Sequence, residues 1–217
     1  MKKVLGTLVI AFTLTACSPG PVESTPTTPD ELLSSPSASI LQATPEPDTT
    51  YSLDTSASIL GWEASRLAAA PHIGTVGLQS GSLFQTNAEF TGGEFVIDMT
   101  QITEEKNNER FLSHIKGEDF FGVEQYPTSK LTLTSVTKKE TNQYELTGNL
   151  TIRDQTHPIT FNTQMEENGE IMNATSEFEI DRTKWGIIYD SGSFFQQLGD
   201  KAIKNEIIYR LNLTFKK

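Results

Sequence analysis

One cysteine in 217 residues means that no disulfide can form within the chain, so the fold must rest on its core. Cationic residues are also scarce. Seventeen Lys and Arg against 28 Asp and Glu leave a net charge of −11, which argues against nucleic acid or an anionic membrane surface as an electrostatic partner. The chain carries no Gly-rich phosphate loop, no Ser nucleophile elbow and no redox cysteine pair. His72, His114 and His157 share no close ligand spacing, so neither a metal nor a cofactor is expected. Asp190-Ser191-Gly192 resembles one turn of an aspartic protease. That chemistry needs two carboxylates on matching turns, and Asp54-Thr55-Ser56 lacks the glycine. The expectation is a polar rim loop and a protein that is not an enzyme.

Long apolar runs are missing as well, with one exception at the start. Met1-Lys2-Lys3 precedes a mostly apolar, uncharged stretch from Val4 to Thr15, too short to span a bilayer comfortably and arranged like a secretion signal. It ends in Leu14-Thr15-Ala16-Cys17, which resembles the bacterial lipobox, whose cysteine becomes the lipidated first residue of the mature protein. The expectation is a signal over 1–16, lipidation of Cys17, and an exported protein tethered to a cell-envelope membrane through that anchor. Residues 17–49 then form a linker. Between Ser18 and Thr49 lie seven of the ten prolines, eleven Ser or Thr, and no Lys or Arg, a composition that cannot bury enough apolar surface to fold alone. At about 3.1 Å per residue such a tether reaches at most about 100 Å.

The globular part runs from 50 to 217, a sensible size for one domain. Its clearest stretch is Gln143 to Met165. Tyr144, Leu146, Gly148, Leu150 and Ile152 alternate with Glu145, Thr147, Asn149, Thr151 and Arg153, the mark of a strand with one dry face. A polar break over Asp154 to Pro158 reads as the connection to a second strand carrying Ile159, Phe161, Thr163 and Met165. Further strands are expected at 51–54, 58–66, 73–79, 82–85, 94–99, 130–136, 170–181 and in the last alternating run, Ile207 to Phe215. The Glu104-Glu105-Lys106 run reads as a solvated loop. Phe111, Leu112 and Ile115 recur at helical spacing over Glu109 to Lys116, with Gly117 placed to close that helix.

So many one-faced antiparallel strands, with so little helix to cover them, are economically buried by closing the sheet on itself. The expected fold is all-β: an antiparallel barrel with one or two short helices. Its interior is either packed or open enough for one small ligand, and periodicity does not separate these.

Four segments carry a family resemblance. They are His114-Ile115-Lys116-Gly117-Glu118-Asp119-Phe120-Phe121 with Tyr126-Pro127, Gly148-Asn149-Leu150-Thr151-Ile152-Arg153, Asp181-Arg182-Thr183-Lys184-Trp185-Gly186-Ile187, and Leu198-Gly199-Asp200-Lys201-Ala202-Ile203. In order and spacing they resemble the YceI-like family over roughly 50–217. The resemblance implies a lipocalin-like barrel holding a polyisoprenoid or similar long lipid. Ile115, Gly117 and Asp154 depart from the commoner family residues without touching the apolar pattern.

On this reading the interior and mouth comprise Trp62, Phe95, Phe111, Phe120, Phe121, Leu150, Ile152, Phe161, Ala174, Phe178, Ile180 and Trp185. Arg182, Lys184 and His72 are candidates to meet a polar or anionic head. Each has a plainer reading: core or cap residue for the aromatics, surface salt bridge for the cations, turn histidine bonded to backbone for His72. The competing functional class is an envelope structural or interaction protein with a filled barrel and no ligand.

Overall fold

The structure, a computed structural model, describes residues 46–217. The expected signal over 1–16, the lipidation site Cys17 and the linker up to residue 45 lie outside the described residues.

Ten elements follow in chain order: β1 (Thr49–Leu53), β2 (Ile59–Ala64), β3 (His72–Thr86), β4 (Glu89–Asp98), α1 (Glu109–Lys116), β5 (Thr128–Glu140), β6 (Gln143–Ile152), β7 (Gln155–Asn168), β8 (Ile171–Asp181) and β9 (Glu206–Lys216). All strand pairings are antiparallel, and β3 to β9 follow one another around the sheet. β1 and β2 both lie between β3 and β9, one after the other, so they share a single stave. The result is a closed eight-stave antiparallel barrel, as the alternation and the family resemblance imply, its staves laddered all round except between 155–163 of β7 and 176–181 of β8.

Two local features redraw the expected strands. The strands expected at 73–79 and 82–85 are one strand, β3, interrupted by a bulge between Leu78 and Ser80. The extra residue switches the inward set from His72, Val76 and Leu78 to Leu83, a change of phase that reads in sequence as a break. The β6–β7 turn is confined to Arg153-Asp154, with Arg153 in the left-handed region at φ 58°. Residues Gln155 to Pro158 belong to β7, where Pro158 stands opposite Asn149. Pro158 is tolerated because β7 is laddered to β8 only over Gln164–Asn168 with Ile171–Thr175, leaving the proline no partner on its other side. Where that ladder stops, Phe161 and Phe178 stack across the gap at 4.3 Å, and Ser176 Oγ donates to Asn162 O at 2.6 Å.

The barrel has two unlike ends. At the floor, Tyr51, Leu83, Met165, Met172, Leu213 and Phe215 form a dry cluster. At the other end, α1 and the loops 65–71 and 182–205 surround the mouth. Asn108 starts α1 by accepting from the backbone N–H of Phe111 at 3.1 Å, and the helix buries Ile115 beneath half-buried Phe111 and Leu112. Gly117 follows the last helical residue at φ −73°, so the helix closes there without a left-handed cap.

Candidate functional site

Between mouth and floor the barrel encloses a cavity of about 630 Å³, within the roughly 300–1,000 Å³ usual for small-molecule sites. Its walls follow from the alternation: Leu150 and Ile152 from β6, Phe161 from β7, Ala174 and Phe178 from β8, Phe95 from β4 and Trp62 from β2 all line it. Gly148 lies on the same inward face, and a Cβ there would stand 2.7 Å from Thr132 O, so the close approach of β5 to β6 needs glycine. Phe111, Phe120 and Phe121 line the mouth from α1 and the turn after it. Ile180 and Trp185 do not line the cavity. Both are buried, and the Trp185 indole donates to Leu150 O at 3.0 Å, closing the wall beside β6 from outside the space.

The head-group candidates fall in three different places. Lys184 is exposed and away from the cavity. Arg182 borders the cavity but is 1% exposed, and its guanidinium is spent on backbone: Nη1 donates to Ile187 O at 2.7 Å, Nε to Lys204 O at 3.1 Å and Nη2 to Ile203 O at 3.2 Å. Burial pulls its pKa down, opposed by Asp181, Asp190 and Glu206, and these three bonds hold the loop 186–205 against β8. His72 alone reaches the mouth with a ring edge toward solvent.

His72 is the first residue of β3 rather than a turn residue, and its partner is a side chain. Nδ1 faces Glu104 Oε1 at 3.0 Å, and the ring lies flat on Phe111 at 3.9 Å, which in turn stacks on Trp62 at 6.1 Å. The expected solvated run at 104–106 is corrected here: Glu104 is 2% exposed. Thr103 N donates to Thr75 O and Glu105 N to Ile73 O, so the segment straps onto β3 and turns Glu104 inward. Gly74 permits the strap, since a Cβ there would lie 1.9 Å from Thr103 O. The second carboxylate oxygen accepts from Asn108 N at 3.1 Å, tying β3, the strap and the start of α1 together. The hydrogen bond from His72 holds the Glu104 carboxyl below its ordinary range. No local signal marks Glu104, whose partner lies 32 residues away.

Two further mouth groups are paired. Arg66 meets Asp190 at 3.1 Å, and His114 Nε2 faces Asp119 at 3.4 Å. Asp190 thus serves an ion pair at the rim, and Ser191, fully buried, donates to Asn205 Oδ1 at 2.7 Å. Inside, Ser129 and Thr163 line the cavity with buried hydroxyls that have no hydrogen-bond partner among the described residues. The site is therefore an apolar, shape-defined space with few polar points, suited to holding an apolar chain. Among the described residues no His/Cys/Asp/Glu cluster has metal-binding geometry.

Comparison with known proteins gives a consistent picture. Residues 51–215 match the model of the YceI-like domain. A UPF0312 protein of Photorhabdus laumondii is 39% identical over 57 residues, covering 26% of this chain and 29% of that one. A UPF0312 protein of Pseudomonas putida is 26% identical over 113 residues, covering 52% and 59%. The chain thus spans less than two thirds of the length of these curated relatives. Among solved structures, Burkholderia cenocepacia BcnA superposes with a TM-score of 0.62 at 17% identity, over 75% of this chain and 98% of that one. A polyisoprenoid-binding domain from Saccharophagus degradans, implicated in plant cell wall breakdown, superposes at 0.59 with 12% identity, over 76% and 97%. Likeness at such identities speaks for the fold alone; the family-model match covers nearly all of the barrel, and on it this chain belongs to the YceI-like family.

Proposed function

We propose that this protein is a lipid-binding barrel that holds an isoprenoid-type or similarly long apolar chain, without catalysing a reaction on it. The observation that carries this reading is the cavity of about 630 Å³ with its apolar wall from floor to mouth. Burying roughly 400 Å² of tail there contributes about 10 kcal/mol at about 25 cal/mol per Å². Association costs of about 4–15 kcal/mol are set against it, so affinity depends on filling most of the space. The polyisoprenoid-binding domain of S. degradans, which shares the fold, supports the choice of ligand class. The open interior disfavours the competing reading of a filled barrel acting only through its outer face.

The finer reading is of an exported protein, tethered to a cell-envelope membrane by a lipid on Cys17, with 17–49 as linker and 50–217 as the barrel. It is supported by the apolar run ending in Leu14-Thr15-Ala16-Cys17 and by the composition that follows. Native mass spectrometry of the purified protein, followed by organic extraction, tests the central claim. The expected result is a bound mass matching an extractable long-chain lipid. Protein that carries no lipid and takes up no polyprenol in titration refutes it.

A further inference from the structure

The loops around the mouth expose apolar side chains that the cavity does not use. Leu67 is 61% exposed, Phe194 55% and Phe195 46%. They belong to one bonded surface: Leu67 N donates to Ala202 O at 2.9 Å, Ile203 N to Asp190 O at 2.8 Å, and both Phe194 N and Phe195 N to Ser191 O. Arg66 and Ile203 form a bridge, as do Ser191 and Ile203, so the loop 65–71 and the loop 186–205 lie side by side. The patch runs into the cavity entrance, because Ser65, Arg66, Ala69 and Ala70 from the Leu67 loop line it.

From this we infer that the mouth rim docks on a lipid bilayer, with Leu67, Phe194 and Phe195 entering its surface layer. The inference rests on the lipid-binding reading above. Exposed Phe and Leu on a rim are the residues that partition into the interfacial zone, and an apolar cavity opening among them lets a chain pass without crossing water. Charge favours apolar insertion over electrostatic attraction: the chain carries a net −11, and Arg66 at the rim is paired with Asp190. Docking should therefore occur on neutral phosphatidylcholine and resist salt. Chain geometry allows it. β1 begins at Thr49, opposite Gln85 at the floor end, so the chain joins the barrel at the pole away from the mouth. The fifteen residues of β3 span roughly 50 Å, a distance that residues 17–49 would cover if they are the extended linker proposed above.

The test compares two full-length variants, Phe194→Trp at the rim and Thr141→Trp in the β5–β6 turn at the opposite pole. Each is mixed with phosphatidylcholine vesicles brominated in the acyl chains, and its fluorescence is compared with that of the parent chain. Trp62 and Trp185 are buried, so the added indole carries the change. The expected result is quenching with a blue shift for Phe194→Trp and none for Thr141→Trp. Equal quenching of both would mean attachment without the proposed orientation, and would overturn it. A blue shift without vesicles and no quenching with them would show the patch covered by the protein's own N-terminal segment, and would also overturn it. In parallel, the Phe194→Ser/Phe195→Ser double variant should take up polyprenol from vesicles about tenfold more slowly while its affinity for polyprenol in detergent stays unchanged. An unchanged uptake rate counts against docking. Quenching at residue 194 with no uptake by any variant leaves the docking surface standing and removes the lipid-binding reading.

Discussion

Ala174→Phe separates an open interior from a packed one. Ala174 is 5% exposed, faces inward between Met165 and Leu213 in the strand register, and lines the cavity. In a filled core the added ring would cost about 1–3 kcal/mol through strain. Here the ring has empty space beside it, and placing roughly 100 Å² more apolar surface there contributes up to about 2.5 kcal/mol. With little strain to oppose that gain, the ligand-free melting temperature should match the parent's or rise slightly, whereas strain in a filled core would lower it by several degrees. The ring would also occupy the volume a tail needs, so lipid recovered by extraction should fall sharply. Calorimetry on delipidated protein must accompany the lipid measurement, because bound ligand raises apparent stability by itself. A variant that melts far lower while still carrying its lipid would place Ala174 against packed core and refute the reasoning.

Four further outcomes are expected. Glu104 has its carboxyl held below the ordinary 4.5, so its interactions stabilise the fold above about pH 4.5, and that contribution is lost as pH falls through the lowered value. Glu104→Gln should therefore lower the melting temperature at neutral pH and flatten its acid limb; an identical acid limb would count against the His72–Glu104 link. Arg182→Met strips three backbone carbonyls of a charged donor and should cost about 3 kcal/mol or more by urea denaturation, whereas a loss below about 1 kcal/mol would contradict its structural role. Cys17→Ser should abolish incorporation of a labelled fatty acid, and equal labelling would remove the lipoprotein reading. The fragment 50–217 should unfold cooperatively on heating; loss of that transition would make the preceding segment part of the fold.

The alternation in the sequence makes the barrel legible, because each strand from β6 to β9 keeps one apolar face with the period that the closed sheet requires. It blurs where period two is broken on purpose. The bulge at Leu78–Ser80 changes the phase of β3, and the polar face of Gln155 to Pro158 imitates a loop although its backbone pairs with β6. Phase alone places Phe161, Ala174 and Phe178 on the cavity wall, but the same phase also selects Ile180, which is buried away from the cavity. Residues near the mouth are not readable from phase, because their roles depend on partners distant in sequence. Arg182 looks like a free cation until the carbonyls of Ile203 and Lys204 are placed around it, and Glu104 looks solvated until Gly74 lets the strap lie down. Trp185 carries an apolar ring like its neighbours, yet its bond to Leu150 O fixes it in the wall.

The shared stave of β1 and β2 has a consequence for how the chain is made. Its partner on one side is β9, the final strand, with Leu53 opposite Phe215 and Leu60 opposite Leu211. A chain that emerges N-terminus first must keep the first stave half-paired until nearly its last residue is available. Through that interval β2 and β8 each present an unpaired edge, and closure must wait for a contact between the two ends of the domain, the kind of long loop that slows folding. The window of vulnerability to strand-mediated aggregation is thus set by the arrival of residues 206–216, and a chain cut short before them would leave both edges permanently open.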